Sequence, residues 1–191
     1  MDFDSLPSVE QLEKELKREK RIKNYGRALR STLFTLIVVA AAAILVVVIF
    51  LPVIQISGPS MSPTLSNGDV LMAANIKNYQ SGDIIAFYYN NNLMVKRVVA
   101  VGDDVVEINK DGYVFINGTP LREDYLENVD LGKCDLDFPY TVPTGSYFVM
   151  GDNRYTSVDS RASSFGCIDK NLVAGKIVFR IWPFTKLGPI R

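Results

Sequence analysis

The chain has 191 residues, 21 of them Lys or Arg and 21 Asp or Glu, so its net charge is zero and gives no sign of a nucleic-acid partner. It has no histidine, which removes the usual general base of serine hydrolases, the usual nitrogen ligand of zinc enzymes and any Cys/His protease mechanism. The length fits one compact domain with an appendage rather than two full domains.

In chain order, Ser8 to Arg30 reads as a helix of mixed charge, with Lys14, Lys17, Arg18, Lys20, Arg21, Lys23, Arg27 and Arg30. No charge then occurs until Asp69, and Thr32 to Leu51 (TLFTLIVVAAAAILVVVIFL) is almost wholly apolar. About 20 such residues cross the hydrocarbon core as a helix. A cleaved secretory leader has a shorter apolar region of roughly 7–15 residues, ending in small residues. Here Ala40 to Ala43 lie inside the run, so an uncleaved anchor is expected. The basic residues preceding it predict a cytoplasmic N-terminus. The expected organisation is a cytoplasmic segment 1–30, an anchor 31–54 and an extracytoplasmic domain 55–191.

Beyond Ile54 the pattern changes to short runs rich in Val, Ile, Tyr and Phe, broken by Gly, Asn, Asp and Pro. Strands are expected at 69–73, 83–89, 93–101, 105–108, 113–116, 147–150 and 176–182. Asp111-Gly112 and Asn117-Gly118 are hairpin turn signals. The fold class is therefore mainly β: one N-terminal transmembrane helix, then an all-β domain with a small β-hairpin insertion at about 103–150.

Two features could carry chemistry. Ser60 lies in the Gly/Pro-rich stretch SGPSMSPTL (57–65), where a serine is most often just a turn residue. Lys96 lies in the apolar strand MVKRVV (94–99), whose alternation sets Lys96 and Arg97 on opposite faces, one of them pointing inward. A buried lysine loses solvation of its charge and becomes a usable base, and Ser/Lys pairs replace Ser-His-Asp in some hydrolases. An equally simple arrangement has both basic side chains snorkelling at a strand edge.

These stretches, together with VKRVVAVGDD (95–104) and GDNRYTSVDSR (151–161), closely resemble the ordered sequence boxes of bacterial type I signal peptidases. The similarity covers nearly the whole chain. It implies Ser60 as nucleophile followed by Met61, Lys96 as base, Ser157 as the serine that orients the lysine, and Asp159 with Arg161 as a bracing pair. It also implies that Ile54, Ile56, Met61, Leu65, Met94 and Val95 line pockets for small residues, giving Ala-x-Ala specificity. At Gly58, some relatives carry a serine whose hydroxyl serves the oxyanion hole. The backbone N–H of Ser60 is then the main donor, with Gly58 helping through its flexible backbone.

The resemblance further implies a monomer in the bacterial plasma membrane, acting on secretory preproteins delivered by the export machinery, with the lipid bilayer as its other partner and with no cofactor, metal or nucleic acid. Ser60 follows the apolar run within about ten residues, which suits a substrate cut at the bilayer surface. An exposed edge of strand 93–99 would accept an extended peptide. Cys134 and Cys167 would face an oxidising space, where a disulfide is allowed but not required. Two rival readings are a self-cleaving Ser/Lys repressor-type protease, disfavoured by the anchor, and a membrane-tethered β-domain used for binding.

Overall fold

The computed structural model describes residues 9–50 and 52–190. Residues 1–8 of the expected cytoplasmic segment and Leu51 of the expected anchor lie outside the described residues. The chain divides into two units, meeting between residues 50 and 51.

The first unit is one helix, α1 (Val9–Phe50). At 1.5 Å per residue its 42 residues extend about 63 Å. Leu33, Phe34, Leu36, Ile37, Val39, Ile44 and Leu45 are all exposed. Thr32 and Thr35 turn their hydroxyls back onto the carbonyls of Ala28 and Ser31, both at 2.9 Å, so neither needs water. Among the described residues this is the one helix long and apolar enough to cross a membrane, with a mean hydropathy of 2.1 in its candidate span. The helix ends two residues before Pro52, which has no N–H to continue it. The expected anchor boundary at 54 is therefore too late, because Val53–Gln55 already form a strand.

The second unit is mainly β, as its runs of Val, Ile, Tyr and Phe between turn residues predict, with two single-turn 3-10 helices at Lys170–Leu172 and Phe184–Lys186. Its larger sheet is antiparallel. It contains β1 (Val53–Gln55), β2 (Val70–Ala74), β3 (Ile84–Tyr89), β4 (Asn92–Val101), β9 (Ser146–Met150), β10 (Ile168–Asp169), β11 (Val173–Trp182) and β12 (Gly188–Pro189). The order is β1-β2-β11-β3-β4-β9-β10, with β12 also on β11. The smaller sheet lies within the expected insertion 103–150 and holds β5 (Val105–Ile108), β6 (Val114–Ile116), β7 (Thr119–Pro120) and β8 (Tyr140–Thr141), in the order β7-β6-β5-β8, whereas residues 146–150 of that stretch belong to the larger sheet as β9. Asn117 and Gly118, both at positive φ, make its two-residue turn.

Strand β4 organises the core. Val95 belongs to one hydrophobic cluster with Ile54, Ile56, Met61 and Leu65, Val98 to a second with Phe87 and Phe165, and Val99 and Ala100 to a third with Val106 and Phe148. Both faces of β4 are therefore covered, and residues 95–100 are all buried. At the end of β11, Trp182 is 50% exposed and meets the ring of Phe184 edge-on at 4.9 Å.

Candidate active site

Residues 57–67 form a loop between β1 and β2, closed at its base by Ile56 N–H to Asp69 O and Gly68 N–H to Ile56 O, both at 2.9 Å. Met61 and Leu65 drop from it into the first hydrophobic cluster at 1% and 0% exposure, leaving Ser60 half-buried at the surface. Burial of these two side chains, roughly 2 kcal/mol or more each, is what fixes a loop of Gly, Pro and Ser.

Lys96 and Arg97 are both buried, so neither the inward/outward division expected from alternation nor snorkelling describes them. Each face of β4 lies under another part of the chain, and each cation has a partner there. Lys96 Nζ donates to Ser157 Oγ at 2.8 Å. Arg97 donates to both carboxylate oxygens of Asp152, at 2.9 and 2.7 Å, and to Gly82 O at 2.8 Å. Burial pushes the Lys96 amine down from 10.5 to about 8, with Arg161 adding to the effect and Asp159 and Asp152 opposing it.

Loop 151–161 carries the remaining groups. Asp159 and Arg161 form a fully buried pair at 2.8 and 2.9 Å, unlike a surface loop ion pair. Arg161 also donates to Leu131 O and Arg154 O, and Asp159 accepts from the N–H of Gly151 at 2.9 Å. Burial opposes ionisation of Asp159, but Arg161, the Ser157 hydroxyl and the Gly151 N–H outweigh it and hold its carboxyl below the usual range. Ser157 thus acts on both Lys96, by a hydrogen bond, and Asp159, by lowering its carboxyl.

The Ser60 loop is tied to this same segment. Asn153 N–H donates to Ser60 O at 3.0 Å. Gly151 lies so close that a Cβ there would come within 2.5 Å of Ser60 O and 2.3 Å of Ser157 Oγ. Among the described residues the hydrogen bond from Lys96 Nζ goes to Ser157 and none joins it to Ser60. The N–H of Ser60 has no protein partner among the described residues, whereas that of Gly58, at φ +94°, donates to Asn67 Oδ1 at 3.0 Å. Gly58 therefore has no free N–H to offer, contrary to the help expected from its backbone.

A small cleft of about 120 Å³ opens beside Ser60, lined by Ile54, Ile56, Met61, Met94 and Val95 with Gln55, Ser57 and Leu93. Leu65, expected among these, is instead a core residue with no exposure. On the side of β4 facing the cleft, pairing with β9 begins only at Arg97, so Asn92 to Lys96 present an open edge. The allowed disulfide is not formed: Cys134 and Cys167 are free thiols, and Cys167 is turned instead to the Tyr140 hydroxyl at 3.8 Å.

Nothing in the sequence pattern singles out Asp152, Arg154 or Gly151; the signal for Asp152 is Arg97, which once buried must have an acid opposite it. Arg154 is 2% exposed and donates to Gly151 O at 3.1 Å and to the Glu123 carboxylate.

The chain is a peptidase by its family: it belongs to the signal peptidase family, peptidase S26. Residues 28–182 match the model of that family. The chain is 38% identical over 152 residues to signal peptidase IB of Staphylococcus aureus strain COL, spanning 69% of this chain and 78% of that protein. It is 39% identical over 145 residues to signal peptidase I of Bacillus licheniformis, with 69% and 77% covered. A crystal structure of a signal peptidase I from Enterococcus faecalis V583 is 36% identical, covers 53% of this chain and 98% of that one, and superposes with a TM-score of 0.46.

Proposed function

We propose that this chain is a membrane-bound endopeptidase that removes signal peptides from secretory preproteins after small residues, with Ser60 as nucleophile and neutral Lys96 as general base. The observation that carries this reading is the state of Lys96: 2% exposed, held by Ser157, and lowered to about 8. An amine so placed is partly neutral at physiological pH, which an exposed lysine is not.

In the first half of the reaction Lys96 Nζ takes the proton of Ser60 Oγ as Oγ attacks the scissile carbonyl. The oxyanion accepts from the unpartnered Ser60 N–H, a donor worth about 3–4 kcal/mol in such sites. Lys96 then returns its proton to the leaving amine. In the second half it deprotonates the water that releases the acyl chain. Ser157 holds Nζ throughout.

The cleft is small and apolar, which excludes large side chains by clash and supports a preference for Ala-x-Ala ends. The open edge of β4 gives an extended substrate a strand to pair with, ending at Lys96. Helix α1 and the basic residues preceding its apolar part support an anchor in the plasma membrane with a cytoplasmic N-terminus.

Ser60→Ala and Lys96→Ala are each expected to lower cleavage of an Ala-x-Ala preprotein by at least about 1000-fold while the domain stays folded. Full activity in either variant would sink the dyad and favour a tethered binding domain.

A further inference from the structure

The catalytic groups are held from one side by Ser157. The opposite side of β4 is held by a segment with no regular structure. Arg97, next to Lys96, pairs with Asp152, next to Gly151. These bonds and the Lys96–Ser157 bond therefore tie the same strand to the same loop, one on each face of β4. Outside the Arg97–Asp152 pair lies the stretch 122–131 of the insertion. The Tyr125 ring covers the Arg97 guanidinium, with Cζ 3.9 Å from the ring centre. Its hydroxyl donates to Glu123 Oε1 at 2.7 Å. The Glu123 carboxylate in turn takes two hydrogen bonds from Arg154, whose Nε donates to Gly151 O at 3.1 Å. Arg154 O accepts from Arg161 at 3.0 Å.

We propose that Glu123 and Tyr125 are positioning residues for the peptidase reaction: they form a strap that clamps β4 to loop 151–161 and so sets Lys96 against Ser60. This rests on the Ser60/Lys96 reading above. The strap closes a circuit, Tyr125 on Arg97, Arg97 to Asp152, Gly151 to Arg154, and Arg154 to Glu123 and back to Tyr125. Gly151, within that circuit, leaves Ser60 O and Ser157 Oγ in the space that a Cβ would need. Burial, reinforced by Glu123, pushes the Tyr125 hydroxyl far above its usual range, so it remains a donor at every working pH. The charged groups acting on Lys96 are Asp159, Arg161 and Asp152, and all three belong to the loop that the strap holds. With the strap loosened, water reaches Lys96, desolvation weakens, and its amine moves upward from about 8 towards 10.5.

The test uses the full chain in detergent or proteoliposomes with a peptide carrying an Ala-x-Ala site, measuring kcat, KM and the pH profile. Tyr125→Leu is expected to lower kcat by about 100-fold with KM changed less than about threefold, and to move the acid limb to higher pH. Tyr125→Phe, which keeps the ring, is expected to restore kcat to within about tenfold of the wild type and the limb to its original position. Glu123→Gln, a near-isosteric change, should move the limb in the same direction as Tyr125→Leu and serves if the leucine variant does not fold. An unmoved limb in either Tyr125→Leu or Glu123→Gln overturns the strap, even if melting temperature falls. Wild type and Lys96→Ala are run alongside. A wild type without a limb, or an active Lys96→Ala, indicts the dyad and not the strap.

Discussion

At the scale of the residue, the charged form of Lys96 is the costly one. Its value of about 8 when folded lies below the 10.5 of an exposed lysine, so between those pH values the folded chain binds fewer protons than the unfolded chain. Stability therefore rises with pH through that window, and at pH 7 the buried ammonium works against folding by on the order of 3 kcal/mol. Lys96→Met should accordingly raise the melting temperature of the second unit at pH 7 by roughly 5 °C, with the gain shrinking towards pH 10 while activity is absent throughout. A lower melting temperature at every pH would show that the Ser157 bond outweighs the burial cost. Activity of the wild type should rise with pH through about 8, with no limb belonging to histidine. Ser60 and Lys96 stand out in the sequence because the boxes around them resemble a known family. Asp152 does not: its role exists only once Arg97 is buried, and strand alternation alone predicts that just one of Lys96 and Arg97 turns inward.

At the scale of the element, two segments determine the site. Strand β4 is covered on both faces, so Arg97 keeps its charge there only beside an acid, while Lys96, held by a neutral hydroxyl, loses its proton more easily. Removing the partner by Asp152→Asn should cost about 3–5 kcal/mol, measured by chemical denaturation, because Arg97 would keep its charge without compensation. Loop 151–161 depends on a glycine. In Gly151→Ala the new methyl meets the Ser60 backbone and the Ser157 hydroxyl inside 2.6 Å. The expected result is a loss of about 1–3 kcal/mol together with a fall in kcat of about 100-fold. Normal kcat with normal stability would mean that the two loops are not in contact. Strands such as β3, β4, β5 and β9 could be read from the sequence because each is a run rich in Val, Ile, Tyr or Phe bounded by turn residues. The strands β7, β8, β10 and β12, with two residues each, carry no periodicity and are made by their neighbours.

At the scale of the whole molecule, the division between residues 50 and 51 separates an exposed apolar helix from a unit with three hydrophobic clusters of its own. A fragment beginning at Pro52 is expected to fold without α1, giving a β-type circular dichroism spectrum and a cooperative melt. An unfolded or aggregated fragment would show that α1 is required for the second unit to fold.

Trp182 adds a practical consequence. It is the chain's sole indole, it ends the strand paired with β2, and α1 contains none. Tryptophan emission from the intact protein thus arises from the second unit alone, because the helix carries no indole. Denaturation of the peptidase domain can be followed in micelles or vesicles without a label, and its midpoint compared directly with that of the fragment.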